Sequence, residues 1–337
     1  MAISIEYPLH PQQPYWGPVN AQHNFCEEDY ILTSYIAEVI NTLTNLTYLY
    51  YALHGIKNNA NRQDAVLRNL PYLGIAGVGL GSAVFHATMK NYTQWCDDLS
   101  MLAAVATVYH RVSTFDKSLS VTVISGCVIT ALMAAFSVWH CVTDEITMHS
   151  VLFAIMIILV GGRTRSIISA RVEDPAVAKE VKKLATWGAG IFLSGFIIWN
   201  IDNAICACLT SWKRSVGMPW SFVLELHGWW HVFTGVGAYI FIALVEYLTS
   251  EDAGQPLGSR FAWPVNVLVN CQAGTKNQTN IETNGLFTPE TYENRGLQCL
   301  DGGDSKTTMT VEVDWSDGLD GGVDRAAKSN GNTKKGI

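Results

Sequence analysis

The sequence predicts an all-α membrane protein: a bundle of seven transmembrane helices with a polar N-terminal segment and a disordered C-terminal tail. Three observations carry that expectation. Only 15% of the 337 residues are charged and 49% are hydrophobic, whereas a soluble domain holds about a quarter charged residues. The charge is also uneven, concentrated before residue 35, in short interruptions and after residue 250. Between those limits lie apolar runs of about 20 residues, the length that crosses a hydrocarbon core. Stretches 151–160 and 191–199 carry no polar stripe at helical period, as befits helices surrounded by lipid.

In chain order, residues 1–34 form the Pro-rich polar segment and 35–248 the seven-helix domain. The helices are expected at 35–56, 70–89, 97–112, 119–139, 146–162, 184–206 and 220–248. The third is short and opens on two carboxylates, Asp97 and Asp98. From 249 to 337 Gly, Asp, Asn, Thr and Lys dominate, as in the run from Asp320 to Asp324. That composition buries too little apolar surface to offset its ordering entropy, so disorder is expected, with 261–269 its one apolar patch. The first 30 residues lack a charged stretch followed by an apolar one, so the first helix would itself target the chain.

Basic residues in short loops set the orientation. Lys57, Arg62 and Arg68 follow the first helix, Arg111 and Lys117 the third, and Arg163, Arg165, Arg171, Lys179, Lys182 and Lys183 the fifth. The opposite loops offer Lys90, then Asp144 and Glu145 with no base, then Lys213 and Arg214. The N-terminus is therefore expected on the lumenal or external side and the C-terminus in the cytosol. The net charge of −7 and the absence of a basic patch argue against a nucleic-acid partner. Eight cysteines in a chain this long do not make a disulfide-dense scaffold, and none has zinc-finger spacing.

Ionisable groups inside membrane segments are costly and mark working sites. His227 and His231, in Glu225-Leu-His-Gly-Trp-Trp-His231, leave one helix face at the spacing that presents two ligands to one zinc ion. His86 ends the second helix, and Asp97 begins the third on the same side of the membrane. The competing reading is a set of histidines bonded to backbone carbonyls. His54, His110, His140 and His149 lie at segment ends without evident partners and read as interfacial. A second cluster crowds oxygen ligands before the first helix: Asn24, Glu27, Glu28 and Asp29, with Glu38 just inside it. A calcium ion, wanting six to eight oxygens, would account for both features; so would a solvated acidic turn with Glu38 protonated or paired.

At these residues the sequence resembles the alkaline ceramidases, within a superfamily that includes the adiponectin receptors. The resemblance runs from about residue 15 to 247. It is carried by Tyr15-Trp-Gly-Pro18, Cys26-Glu-Glu28, Tyr35-Ile-Ala-Glu38, Ser82-x-x-Phe-His86, Asp97, Trp199-Asn-Ile-Asp-Asn203 and His227-Gly-Trp-Trp-His231-x-x-Thr-Gly235. It implies a zinc amidase that splits ceramide, a membrane lipid, into a sphingoid base and a fatty acid, in the endoplasmic reticulum or Golgi membrane. The implied zinc ligands are His86, His227 and His231, with Asp97 beside the zinc-bound water and Ser82 near the oxyanion. The resemblance also implies calcium bound by Asn24, the Phe25 carbonyl, Glu27, Asp29 and Glu38, and a disulfide between Cys26 and Cys206. The family's Asp-Trp-Cys-Glu-Glu-Asn reads here with Asn24, Phe25 and Asp29, an exchange that preserves the number of carboxylates. Two alternatives stay open: a related membrane lipid hydrolase with another substrate, and a seven-helix receptor or sensor with structural zinc.

Overall fold

The computed structural model describes residues 4–269, apart from 63, 259, 260 and 268. These residues belong to a compact unit spanning Met1–Phe287. Among them the chain forms nine α-helices: α1 (Val39–Thr44), α2 (Leu46–Asn59), α3 (Ala65–Thr88), α4 (Asn91–Thr114), α5 (Leu119–Thr143), α6 (Ile146–Arg171), α7 (Pro175–Ala204), α8 (Cys206–Val216) and α9 (Leu226–Leu248). Extended pairing among the described residues is limited to an isolated bridge between Ile5 and Met218. The fold is all-α, as the apolar runs predict.

Five helices, α3, α5, α6, α7 and α9, are long and apolar enough to cross a membrane. The expected first span is broken at Asn45, whose N–H bonds to Leu43 O instead of four residues back. Neither α1 nor α2 is then long enough by itself. The expected third span grows to the 24 residues of α4, because its polar first turn is buried: Thr93 and Gln94 are both out of solvent. Local chemistry starts the longer helices. The Ser118 hydroxyl accepts from Val121 N–H ahead of α5. Asp174 caps α7 through Ala176 N–H at 2.7 Å, with Pro175 in the first turn, where a missing N–H costs nothing.

The core runs between α9 and its neighbours α2, α3, α4 and α7, through Tyr48, Tyr72, Val108, Leu184, Ile240 and Leu244. Helices α7 and α9 approach closely at Gly237. A Cβ added there would sit 2.9 Å from Phe192 Cβ and 3.0 Å from Gly188 O. The apolar stretch of α5 buries none of its residues in the bundle, leaving Ile124, Val128, Leu132 and Val138 outward. Such a broad apolar face suits lipid rather than water.

The folded chain continues past the expected boundary at residue 248. Leu257, Phe261, Ala262 and Val265 join the core. Tyr239 Oη accepts from Ala262 N–H at 2.7 Å, Tyr51 Oη donates to Trp263 O at 3.3 Å, and Tyr247 Oη donates to Gln255 O at 2.7 Å. The rest of the expected tail, 270–337, lies outside the described residues. Polar groups gather at the two bundle ends. The starts of α1, α4, α6 and α9 meet the ends of α3 and α7 at a histidine end. At the arginine end, the starts of α3 and the ends of α4, α6 and α9 come together.

Candidate metal centre

Two helix ends build the centre. Helix α3 finishes one turn beyond His86, where Met89 takes a left-handed conformation (φ 49°) and donates its N–H to Phe85 O at 2.7 Å. His227 and His231 sit in the first two turns of α9, one above the other. Ring centroids lie 4.9 Å apart for His86–His227, 4.9 Å for His86–His231 and 4.7 Å for His227–His231. One nitrogen from each ring lies within 4.8 Å of the others, and all three residues are buried.

What surrounds the rings turns them inward. Glu38 Oε2 forms a short hydrogen bond with His86 Nδ1, leaving His86 Nε2 buried with no partner. Thr44 Oγ1 lies 2.9 Å from His231 Nδ1, and Ser82 Oγ is 3.5 Å from His231 Nε2. His227 Nδ1 is buried and unpartnered as well. Orphaned ring nitrogens are costly in a protein interior, and three converging imidazoles are a donor set that fits a metal ion. An outer carboxylate on a ligand histidine is the usual device for fixing its tautomer and direction.

Asp97 and Ser82 meet beside this cluster. The Asp97 carboxylate lies close enough to the Ser82 side chain for the two to interact. Neighbouring Gly81 permits the contact: a Cβ there would lie 2.9 Å from Cys96 O, so α3 and α4 could not close with any larger residue. Zinc ligand, hydroxyl and carboxylate candidates thus form one chain, His231 to Ser82 to Asp97.

The acidic N-terminal segment arches over the same end. Phe25 lays its ring on His227, with centroids 3.6 Å apart. Asn24 Nδ2 donates to Asp29 Oδ2 at 2.8 Å. Glu27 accepts from Ile40 N–H at 2.7 Å and Asn41 N–H at 2.8 Å, holding the start of α1. Burial pushes the Glu27 carboxyl well above its ordinary range, and the Glu225 and Glu38 charges push it further. Burial raises Asp29 too. Asp29 Oδ1 and Glu38 Oε1 are buried without hydrogen-bond partners, and these free oxygens fit a hard cation. Glu28 turns away to an ion pair with Arg214 of α8.

Cys26 and Cys206 are joined, their Cα atoms 5.2 Å apart. Cys26 also donates its N–H to Asp202 Oδ2 at 3.1 Å. Lys213, wholly buried, donates to Cys26 O at 2.7 Å and Glu225 Oε2 at 2.8 Å. This clamp between the segment, α8 and the start of α9 has no visible signal in the sequence, where Lys213 reads as an ordinary loop base. The expectation for His140 and His149 needs correction. Both are buried: His140 Nε2 lies 3.4 Å from Asp98 Oδ2, and His149 Nε2 donates to Asp98 O at 2.8 Å. Asp98 supplies the partners that segment position alone does not reveal. His54 and His110 have partners too, Asn58 on the same helix and Thr122 O of α5.

Fold and site together define a class: a helical membrane protein whose bundle holds three buried histidines able to carry a metal ion. A family profile described as Ceramidase matches residues 17–272. The chain belongs to the ceramidase family. It is 29% identical to an alkaline ceramidase of Saccharomyces cerevisiae over 279 residues, which covers 76% of this chain and 85% of that one. It is 27% identical to alkaline ceramidase 3 of Mus musculus over 245 residues, covering 71% and 88%. An alkaline ceramidase of Arabidopsis thaliana is 24% identical over 240 residues, covering 71% and 88%.

Proposed function

We propose that this chain hydrolyses the amide bond of ceramides, releasing a sphingoid base and a free fatty acid, with zinc held by His86, His227 and His231. Family membership supports the reaction. The observation that carries the chemistry is the run from His231 through Ser82 to Asp97, since a purely structural metal needs neither hydroxyl nor carboxylate beside it. Zinc at such a site supplies a water of pKa about 7 and an electrophile for the carbonyl oxygen. Asp97 takes the attacking water's proton and returns it to the departing nitrogen. The Ser82 hydroxyl donates to the oxygen on which charge develops, a contact worth about 2.7–4 kcal/mol. Water adds across the amide, so acid and amine leave with no other reactant consumed.

In this reading Asn24, the Phe25 carbonyl, Glu27, Asp29 and Glu38 hold calcium, supported by the free oxygens of Asp29 and Glu38. Glu38 touches His86 as well, so calcium would stiffen the histidine end. Seven crossings follow if α1 and α2 together make one and α4 another. The histidine end and N-terminus then face the lumen, the arginine end and C-terminus the cytosol, in the endoplasmic reticulum or Golgi membrane. With Phe25 over His227, a lipid would enter laterally between helices without exposing its chains to water.

The test is fatty-acid release by purified protein from ceramide, dihydroceramide and phytoceramide, alongside His231→Ala and Asp97→Ala. Wild type should release fatty acid and both variants should not. A wild type that holds zinc yet releases none would favour the receptor reading. Full activity in both variants would remove the site assignment. Restoring calcium to stripped protein should raise the rate; a flat titration would sink the calcium coupling.

A further inference from the structure

The end of α1 places an acceptor on the outer nitrogen of His231. Because Asn45 N–H turns to Leu43 O, the Asn41 carbonyl is released from the regular helical ladder. It accepts instead from Asn45 Nδ2 at 2.8 Å. Thr44, the last residue of α1, brings its hydroxyl to 2.9 Å from His231 Nδ1.

Hydrogen inventory fixes the direction of these bonds. A hydroxyl has one proton to give and two lone pairs. Thr44 Oγ1 lies 2.9 Å from Ile40 O and 3.1 Å from Asn41 O, and a carbonyl can only accept. The Thr44 proton therefore points back along α1, and its free lone pair faces His231. Nδ1 thus carries the hydrogen, and the lone pair remains on Nε2, which faces Ser82 and the other two rings.

We infer that Thr44, the last residue of α1, is a positioning residue that fixes His231 as the Nδ1–H tautomer and aims its Nε2 at the metal centre. This rests on the three-histidine zinc reading. Glu38 serves His86 as a charged partner; Thr44 is the neutral counterpart on α9.

The experiment is zinc retention against a graded chelator, measured by metal analysis on full-length wild type, Thr44→Val, Thr44→Ala and Thr44→Ser, with thermal unfolding of each zinc-free protein. Removing an outer partner of a ligand histidine typically weakens metal binding by about 10–100-fold. Thr44→Val and Thr44→Ala should therefore release zinc at roughly tenfold lower chelator or less, with unfolding of the zinc-free proteins unchanged. Thr44→Ser should match wild type. The inference is overturned if Thr44→Val holds zinc as tightly as wild type. It is equally overturned if Thr44→Ser binds as weakly as Thr44→Val, because the effect then belongs to packing of the methyl. A wild type that binds no zinc would instead remove the metal reading beneath it.

Discussion

The two ends of the bundle treat their buried polar side chains in opposite ways. At the arginine end the charged groups satisfy one another, and the leftover atoms are amide ones, on Asn59, Asn69 and Asn266. Arg68 sits between Asp64 at 2.5 Å and Glu246 at 3.9 Å, and Tyr72 Oη donates to Glu246 at 2.7 Å. Arg111 bonds to Thr249 Oγ1, Arg163 to Val112 O and Arg171 to Leu248 O. The last two place cations on terminal carbonyls of α4 and α9, where the helix dipole welcomes them. At the histidine end, hydrogen-bonding capacity is left over on His86 Nε2, His227 Nδ1, Glu38 Oε1, Asp29 Oδ1 and Asp202 Oδ1. Saturated networks hold a fold together; leftover capacity in a dry interior waits for something to bind.

If that division is right, changes at the histidine end cost rate and changes at the arginine end cost stability. His227→Ala should lower ceramide turnover by on the order of a thousandfold or more, with zinc lost on metal analysis; retained zinc at normal stoichiometry would break the comparison. Ser82→Ala should cost roughly 10²–10³ in kcat with KM little changed, because its contact strengthens only in the transition state. A rise in KM alone would make Ser82 a substrate contact. Tyr72→Phe should reverse the pattern, removing a hydrogen bond to a charged group worth about 1.5–3 kcal/mol. Its thermal unfolding should fall while kcat/KM holds.

The smallest effect concerns Asp64. Burial pushes its carboxyl up, but the Arg68 hydrogen bond and the Arg68 and Arg111 charges outweigh that and hold it below 3.8. A lowered acid binds fewer protons folded than unfolded, so its stabilisation is present above about pH 3.8 and fades as pH drops through the folded value. Asp64→Asn should flatten this acid limb in an unfolding series from pH 6 to 3. An unchanged slope would show that Arg68 finds its support elsewhere.

Much of this was legible because the membrane makes polar residues conspicuous. Apolar runs mark α3, α5, α6, α7 and α9, and the His227–His231 spacing needs only helical geometry. Glu38 stands out as an expensive carboxylate, although no local pattern reveals its bond to His86, 48 residues away. The α1–α2 break is invisible because neither Asn45 nor Thr44 breaks a helix by propensity alone. What the sequence hides there is tertiary: Thr44, at the end of α1, meets His231 of α9. His140 and His149 were misread for the same reason: Asp98, their partner, comes from another helix. The apolar patch at 261–269 is visible in the sequence, but its return to the core is not, because Leu257, Phe261, Ala262 and Val265 carry no periodic signal.

That fold-back decides where the protein can be cut. Three phenols on α2 and α9, those of Tyr51, Tyr239 and Tyr247, exchange hydrogen bonds with backbone between residues 254 and 263. A truncation at the end of α9 would keep every apolar helix and every metal-site candidate, yet strip those hydroxyls of their backbone partners. The smallest expressible catalytic fragment should therefore extend through Val265, and a reporter fused at residue 249 should be read as damage rather than as a label.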